Sequence, residues 1–197
     1  ARNLASAAKR EGVNHFIHIS SLGASPESSS RLLKSKGAGE ESVIDCFPNA
    51  NIVRPSLIFG NEDTFFNRFA KLSSISPFIP VVGSNTKFQP VYVDDVAKVI
   101  SLLIETDQKK KYLELGGDEI YTFKELIDML LTEIKRKRII LKIPFFLARV
   151  IAATNDFFRS ILGDIIPAFL TLAQVKSLEN DNVVVGESEN FSDLGII

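Results

Sequence analysis

VNHFIHISSLGASPESSSRLLKSKGAGEESVIDCFPNANIVRPSLIFG, residues 13–60, decides the fold, because it passes from one periodicity to another and back. VNHFIHIS (13–20) is short, β-branched and aromatic, the composition of a buried strand. SLGASPE follows as a polar loop carrying Gly23 and Pro26. Ser28 to Ser30 offer an N-cap for a helix running to about Phe47, with Leu32, Leu33, Val43, Ile44 and Phe47 placed to face inward. ANIVRPSLIFG then supplies a second strand ending near Arg54–Pro55. Strand, helix and strand at this spacing predict a βαβ unit with a right-handed crossover and parallel strands.

The pattern extends in both directions. Upstream, residues 1–11 read as a helix stopped by Gly12, with Leu4, Ala7 and Ala8 at core-facing spacing. The opening ARNLASAAKREG has the Arg/Ser/Ala flavour of a transit peptide, but Glu11 and the helical spacing argue for an ordinary helix. Ala1 opens in mid-helix with no initiator methionine, so the chain reads as a piece of something longer. Downstream, DTFFNRFAKLSS (63–74) predicts a helix and SPFIPVVG a Pro-rich loop. FQPVYV (88–93) reads as one short strand, and Asp94 as the cap of the helix DDVAKVISLLIET. KYLELGG (111–117) is a further strand, Thr122 and Glu125 form a capping box for TFKELIDMLLTEIK, RIILKIP (138–144) is strand-like, and 145–179 is mostly helical. The expected class is α/β with a parallel sheet, plus a mostly helical carboxy-terminal lobe.

Composition limits the function. The 197 residues are 45% hydrophobic, with 23 basic and 24 acidic side chains and a net charge of −1. That balance argues against a nucleic-acid binder, which carries a basic face. The single cysteine, Cys46, cannot form an internal disulfide, which points to a reducing compartment. No uncharged apolar run reaches the roughly 18 residues that span a bilayer.

The chemistry centres on Lys36. Positions 32 and 36 are four apart on one helix and share a face; in a doubly wound fold that face looks toward the carboxyl ends of the strands, where ligands bind. Ser20 and Ser21 end the first strand at the same crevice. A serine, a phenol and a lysine there form a proton-transfer set: the serine orients a carbonyl, the phenol exchanges the proton and the ammonium lowers the phenol's pKa. Position 32, however, is leucine.

VNHFIHISSLGA, the lysine spacing within RLLKSKGAGE, NIVRPSLIFGNEDTFFNRFA and FQPVYVDDVAKVI together resemble the atypical short-chain dehydrogenase/reductase superfamily. Within it, the chain is similar to the NAD(P)H-binding accessory subunits of respiratory complex I and their proteobacterial relatives, from Ala1 to the closing DLGI. The resemblance implies a Rossmann-like doubly wound parallel sheet lacking its first strands, with 1–117 the carboxy-terminal part of a dinucleotide-binding domain and 118–197 a smaller helical or mixed lobe. It implies a dinucleotide cofactor, NADPH or NADH, bound with the amino-terminal half of the family fold. It assigns vestigial catalytic positions to Ser20, Ser21 and Lys36, and cofactor contacts to Ser20, Lys36, Pro55, Ser56 and Ile58. It implies complex I subunits as partners, contact with the membrane interface, and a location peripheral to the bacterial inner membrane or on the mitochondrial matrix side. Two departures qualify it. Leu32 stands where the family has its tyrosine, so redox turnover is not implied. None of the eleven glycines forms a G-x-G-x-x-G or G-x-x-G-x-x-G turn between a strand and a helix, and GAG at 37–39 lies inside the lysine helix. The rival readings are a reductase or epimerase on a sugar-nucleotide or quinone-like substrate, and a truncated or split reading frame without independent function.

Other features have plainer readings. Lys36 competes with a solvated helical lysine, Ser20 and Ser21 with strand-end hydrogen-bonders, and Pro55–Ser56 with an ordinary turn. His15 and His18 read as core or edge histidines, with no metal-ligand spacing around them. Asp94 and Asp95 read as helix caps, and KRKR (135–138) as a solvated helix end. The apolar run 143–173 suits the core of the carboxy-terminal lobe or, through Phe145, Phe146, Val150, Phe157, Phe158, Ile161, Ile165, Ile166 and Phe169, a docking surface.

Overall fold

The structure is a computed structural model describing residues 1–106, 111–162 and 171–185, with side chains omitted for 155–162. The expectations for Phe157, Phe158, Ile161, Ile165, Ile166, Phe169 and the closing DLGI lie outside the described residues or side chains. The chain forms two compact units: residues 1–60, 89–120 and the segment beginning at Asn182, and residues 61–88 with 121–181. The chain crosses between the units at 60/61, 88/89, 120/121 and 181/182, the third of these lying close to the expected division at 117/118.

The first unit is built on three parallel strands in the order β1 (Ile17–Ile19), β2 (Asn51–Pro55) and β7 (Tyr112–Leu115). Helix α1 (Arg2–Arg10) and helix α2 (Arg31–Cys46) cover one face, and α4 (Val93–Glu105) the other. The alternation of β2 explains this layering. Ile52 packs with Ala5, Val43, Phe47 and Ala50, whereas its neighbour Val53 packs with Val96, Val99, Leu103, Leu113 and Leu115. Successive side chains leave a strand on opposite faces, so the adjacent buried pair Ile52 and Val53 needs helices on both sides. The fold is therefore the doubly wound α/β arrangement expected. A short pair, β3 (Ile58–Phe59) with β6 (Val91–Tyr92), also runs parallel.

The second unit contains α3 (Thr64–Ile75), β4 (Phe78–Val82), β5 (Lys87–Phe88), β8 (Tyr121–Thr122), α5 (Phe123–Glu133), β9 (Ile139–Ile143), α6 (Phe145–Leu162) and α7 (Leu172–Ser177). Strand β4 pairs parallel with β9, and β5 antiparallel with β8. Rings of Phe65, Phe69, Phe88 and Phe123 pack at centroid separations of 5.4–6.2 Å and knit α3, α5 and β5 together. Thr122 and Glu125 form the expected capping box.

Several expectations need correction. SPFIPVVG is strand β4 and not a loop; β4 has β9 as its sole partner among the described residues, and an edge strand tolerates the missing N–H of Pro80. FQPVYV is split at Pro90 into β5 and β6, which join different ladders. Asp94 and Asp95 lie in the first turn of α4, whose N-cap is Tyr92; they complement the helix dipole instead of capping it. Ser30 is the N-cap of α2, but its side chain makes no capping hydrogen bond. Leu4 is exposed while Ala5 is buried, because the buried stripe of α1 lies one residue further on. Within KRKR, Arg136 donates to the Ala70 carbonyl (3.0 Å) and Ser73 Oγ (2.9 Å), and Arg138 to the Ser73 carbonyl (2.7 Å). These two cations hold the carboxyl end of α3, whose dipole attracts them, so the segment is not simply a solvated end of α5.

Gly37 has a packing role that the sequence does not announce. A Cβ built there would lie 2.4 Å from the Ser25 carbonyl carbon and 2.5 Å from Pro26 N. The loop after β1 therefore rests directly on the backbone of α2, one residue beyond Lys36. Gly37→Ala should lower stability by about 2–3 kcal/mol, since overpacking against rigid backbone has little room to relax. A denaturant midpoint within error of the parent would contradict this close approach.

Candidate functional site

The site forms where β1 and β2 end against α2. Ser20 N donates to the Val53 carbonyl (2.7 Å), Leu22 N to the Pro55 carbonyl (3.1 Å) and Ser56 N to the Leu115 carbonyl (2.8 Å). The parallel ladder thus continues beyond the strands and fixes Ser20, Pro55 and Ser56 along one rim. From α2, Lys36 Nζ donates to the Ser20 carbonyl at 2.9 Å. The helix and the strand end are joined at the residues the spacing had singled out.

Two polar atoms in this corner have no partner among the described residues: Ser20 Oγ and Ser21 Oγ are buried and make no hydrogen bond there. Leaving a hydroxyl buried without one costs about 1–3 kcal/mol, so each such group needs a physical reason. Leu32, one turn before Lys36, is 56% exposed. The expectation that it faces the core is wrong, because the inward stripe of α2 runs through Gly37, Glu40 and Val43. An apolar side chain thus stands in the open where a proton donor would be needed.

Desolvation pushes the Lys36 ammonium below the ordinary lysine value, with Glu40 opposing the shift. Burial likewise lowers His18, again opposed by Glu40 and reinforced by Lys36 among other charges. Neither histidine belongs to a metal-ligand group among the described residues.

The principal feature the sequence reading missed is the anchor of α2. Glu40, 2% exposed, receives Arg54 Nε at 3.0 Å and Nη2 at 2.6 Å, a two-pronged pair, and Arg54 Nη1 reaches Glu114 at 3.4 Å. The guanidinium also lies over the Tyr112 ring, 4.6 Å from its centroid. Hydrogen bonding to Glu40 raises the Arg54 pKa above its usual value. Glu40 follows Lys36 by four residues, so the anchor and the site lysine share one helical stripe. That spacing was the available sequence signal.

The remaining candidates are placed differently. Pro55 is buried at the rim, and Ser56 turns its hydroxyl toward Asn182. Ile58 lies in β3 and packs against the Val53–Val91–Leu115 cluster. The polar groups gathered at this corner are the two buried serine hydroxyls and the Lys36 ammonium. No described residues offer a pyrophosphate cradle; Gly37 and Gly39 are inside α2.

The fold is that of the NAD(P)-binding Rossmann-type reductases. The dTDP-4-dehydrorhamnose reductase of Bacillus anthracis, solved in complex with NADP, superposes with a TM-score of 0.60 at 19% identity, over 90% of this chain and 67% of that one. More particularly, the chain is 36% identical over 203 aligned residues to NADH dehydrogenase [ubiquinone] 1 alpha subcomplex subunit 9, mitochondrial, of Arabidopsis thaliana, covering 100% of this chain and 50% of the relative. It is 30% identical to the NADH-ubiquinone oxidoreductase 40 kDa subunit of Neurospora crassa, again over 100% of this chain and 50% of the relative. The resemblance to the complex I accessory subunits therefore holds along the whole chain, which spans about half the length of the curated relatives it matches. No family model matches the chain.

Proposed function

We propose that the chain is the carboxy-terminal part of a non-catalytic dinucleotide-fold subunit that braces NADH:ubiquinone oxidoreductase. The observation carrying this reading is an exposed leucine, Leu32, one turn before the lysine that meets the Ser20 carbonyl. The contact of Lys36 Nζ with the Ser20 carbonyl supports reading this corner, with Pro55 and Ser56 beside it, as the place for one end of NADPH or NADH, while Leu32 has no proton to exchange. When bound, the dinucleotide would supply a hydride donor; the residues here orient and desolvate it without completing a general-acid relay. The amino-terminal half of the relatives would supply the pyrophosphate turn.

A second observation supports a protein partner. Helix α6 turns its small residues inward, with Ala148 and Ala152 fully buried, and leaves Phe146, Leu147, Val150 and Ile151 exposed. Exposed apolar stripes of this kind suit the centre of an interface. No helix among the described residues is long and apolar enough to cross a membrane. The protein would work peripherally, on the cytoplasmic side of a bacterial inner membrane or the matrix side of a mitochondrial one, in contact with complex I subunits and the membrane interface.

Calorimetric titration separates the halves of the cofactor claim. The 197-residue chain alone should bind NADPH with a Kd weaker than about 1 μM, the equivalent of roughly −8 kcal/mol, because helix N-terminal amides and close glycine backbone supply much of pyrophosphate recognition. The full-length form should bind it more tightly. Tight binding by the chain alone contradicts the division of labour, and no binding by the full-length form contradicts the cofactor role.

A further inference from the structure

Charge is segregated within the second unit. After Asp63 the segment 64–88 holds no acid, and after Glu133 neither does 134–155; together they carry nine of the chain's 23 basic residues and none of its 24 acidic ones. Hydrogen bonds bring the two segments together. Arg138 Nε donates to the Ser73 carbonyl (2.7 Å) and Ile139 N to the Pro77 carbonyl (3.0 Å), which seats the amino end of β9 beside the end of α3. At that junction Phe78 and Ile139 are register partners on one face of the ladder, with Leu141 two residues further on. All three are exposed, and Ile75, the last residue of α3, is 80% exposed. Further along the same face Val82 and Ile143 pack with Ala148 and Ala152 of α6, whereas the amino end stays open among the described residues.

Cations surround this open end. Lys71, four residues before Ile75 on α3, and Lys135 and Lys137, just before β9, are exposed. None of the three has an ion pair among the described residues. Lys135 is also held in the left-handed region, at φ 54°. Arg136 N donates to the Leu131 carbonyl (2.9 Å) and Lys135 N to the Thr132 carbonyl (3.1 Å), the paired bonds that close a helix on such a residue. Glycine is the unstrained choice at that position, so the chain places a cation where the backbone alone favours none. We propose that this end of the β4–β9 ladder is a membrane-surface contact: Ile75, Phe78 and Ile139 enter the interface of an anionic bilayer, and Lys71, Lys135 and Lys137 meet its phosphate headgroups. A lipid surface of one sign of charge matches a patch of one sign without a dedicated partner for each lysine. The inference rests on the peripheral-membrane part of the reading above and adds to it the face and the lipid charge.

Flotation of the full-length form with vesicles tests the contact, using pure phosphatidylcholine and an equal mixture with phosphatidylglycerol. The parent should bind the mixed vesicles more than about tenfold more tightly, and added salt should remove most of the difference. Lys135→Gly combined with Lys137→Ser should weaken binding to the mixed vesicles about 25-fold, roughly fivefold for each cation. Its denaturant midpoint should hold or rise, because glycine relieves the left-handed residue, so lost binding is not lost folding. Ile75→Ser, at a side chain already in solvent, should weaken the same binding severalfold. Equal affinity for the two kinds of vesicle, or unchanged binding by the lysine variant, overturns the assignment. So does failure of the parent to bind vesicles while the lysine variant loses its respiratory partners, which would give this face a protein occupant and leave the accessory-subunit reading standing. Charge-dependent vesicle binding by a form that recovers no respiratory subunit supports the contact while contradicting that reading.

Discussion

Arg54→Ala should cost about 3 kcal/mol or more of stability, the lower end of the range for removing one member of a buried ion pair. Its partner Glu40 is nearly inaccessible and takes two of the three guanidinium hydrogen bonds, so truncation strands a carboxylate between α2 and the sheet. Glu114 is more open, with its side chain 26% accessible, and contributes less. For a chain of this size the loss corresponds to a drop in Tm of about 6–12 °C. Replacing both partners with leucine should recover much of it, because an apolar pair of similar volume avoids the desolvation that stranding imposes. Chemical denaturation of the two variants decides the matter. A single variant within about 1 kcal/mol of the parent would show that the pair does not anchor α2, an effect no larger than that of an exposed pair.

Leu32→Tyr should have the largest functional effect. General acid catalysis contributes about 10²–10⁴ in rate. The exposed side chain at position 32 shares a helical stripe with Lys36, whose ammonium is positioned by the Ser20 carbonyl. A tyrosine there would regain the phenol–lysine relationship, with the cation favouring the phenolate. In full-length protein supplied with NADPH and a carbonyl substrate, the parent should be close to silent and the variant should gain activity within that range. Carbonyl reduction by the Leu32 protein at ordinary enzymatic rates would overturn the non-catalytic reading and favour a reductase.

Residues 13–60 made the parallel βαβ unit legible, because the strand and helix periodicities there are clean and the intervening loop is marked by Gly23 and Pro26. The Ser20–Lys36 contact was legible for the same reason: a strand end and an i,i+4 pair on the following helix must meet. The second unit was harder to read. Pro80 disguised β4 as a loop, since the exemption for an edge strand depends on a partner 61 residues away in register, Phe78 against Ile139. Pro90 divided one apparent strand into two. Beyond the i,i+4 spacing of Lys36 and Glu40, the Arg54–Glu40–Glu114 cluster and the Asn182–Ser56 contact were hidden, because the partners of a long-range polar pair leave no periodic trace. For helix α6 the apolar content suited either the core of the lobe or a docking surface; in its described part Ala148 and Ala152 are buried with Phe145 packed against them, while Phe146, Leu147, Val150 and Ile151 are exposed.

The central claim is membership of a respiratory assembly, and affinity purification tests it most directly. A tagged full-length form, isolated from its own membranes in mild detergent, should bring down complex I subunits. It should also be released from membranes by conditions that dissociate peripheral proteins. Recovery as a free species with no respiratory-chain subunit attached would contradict the accessory-subunit account.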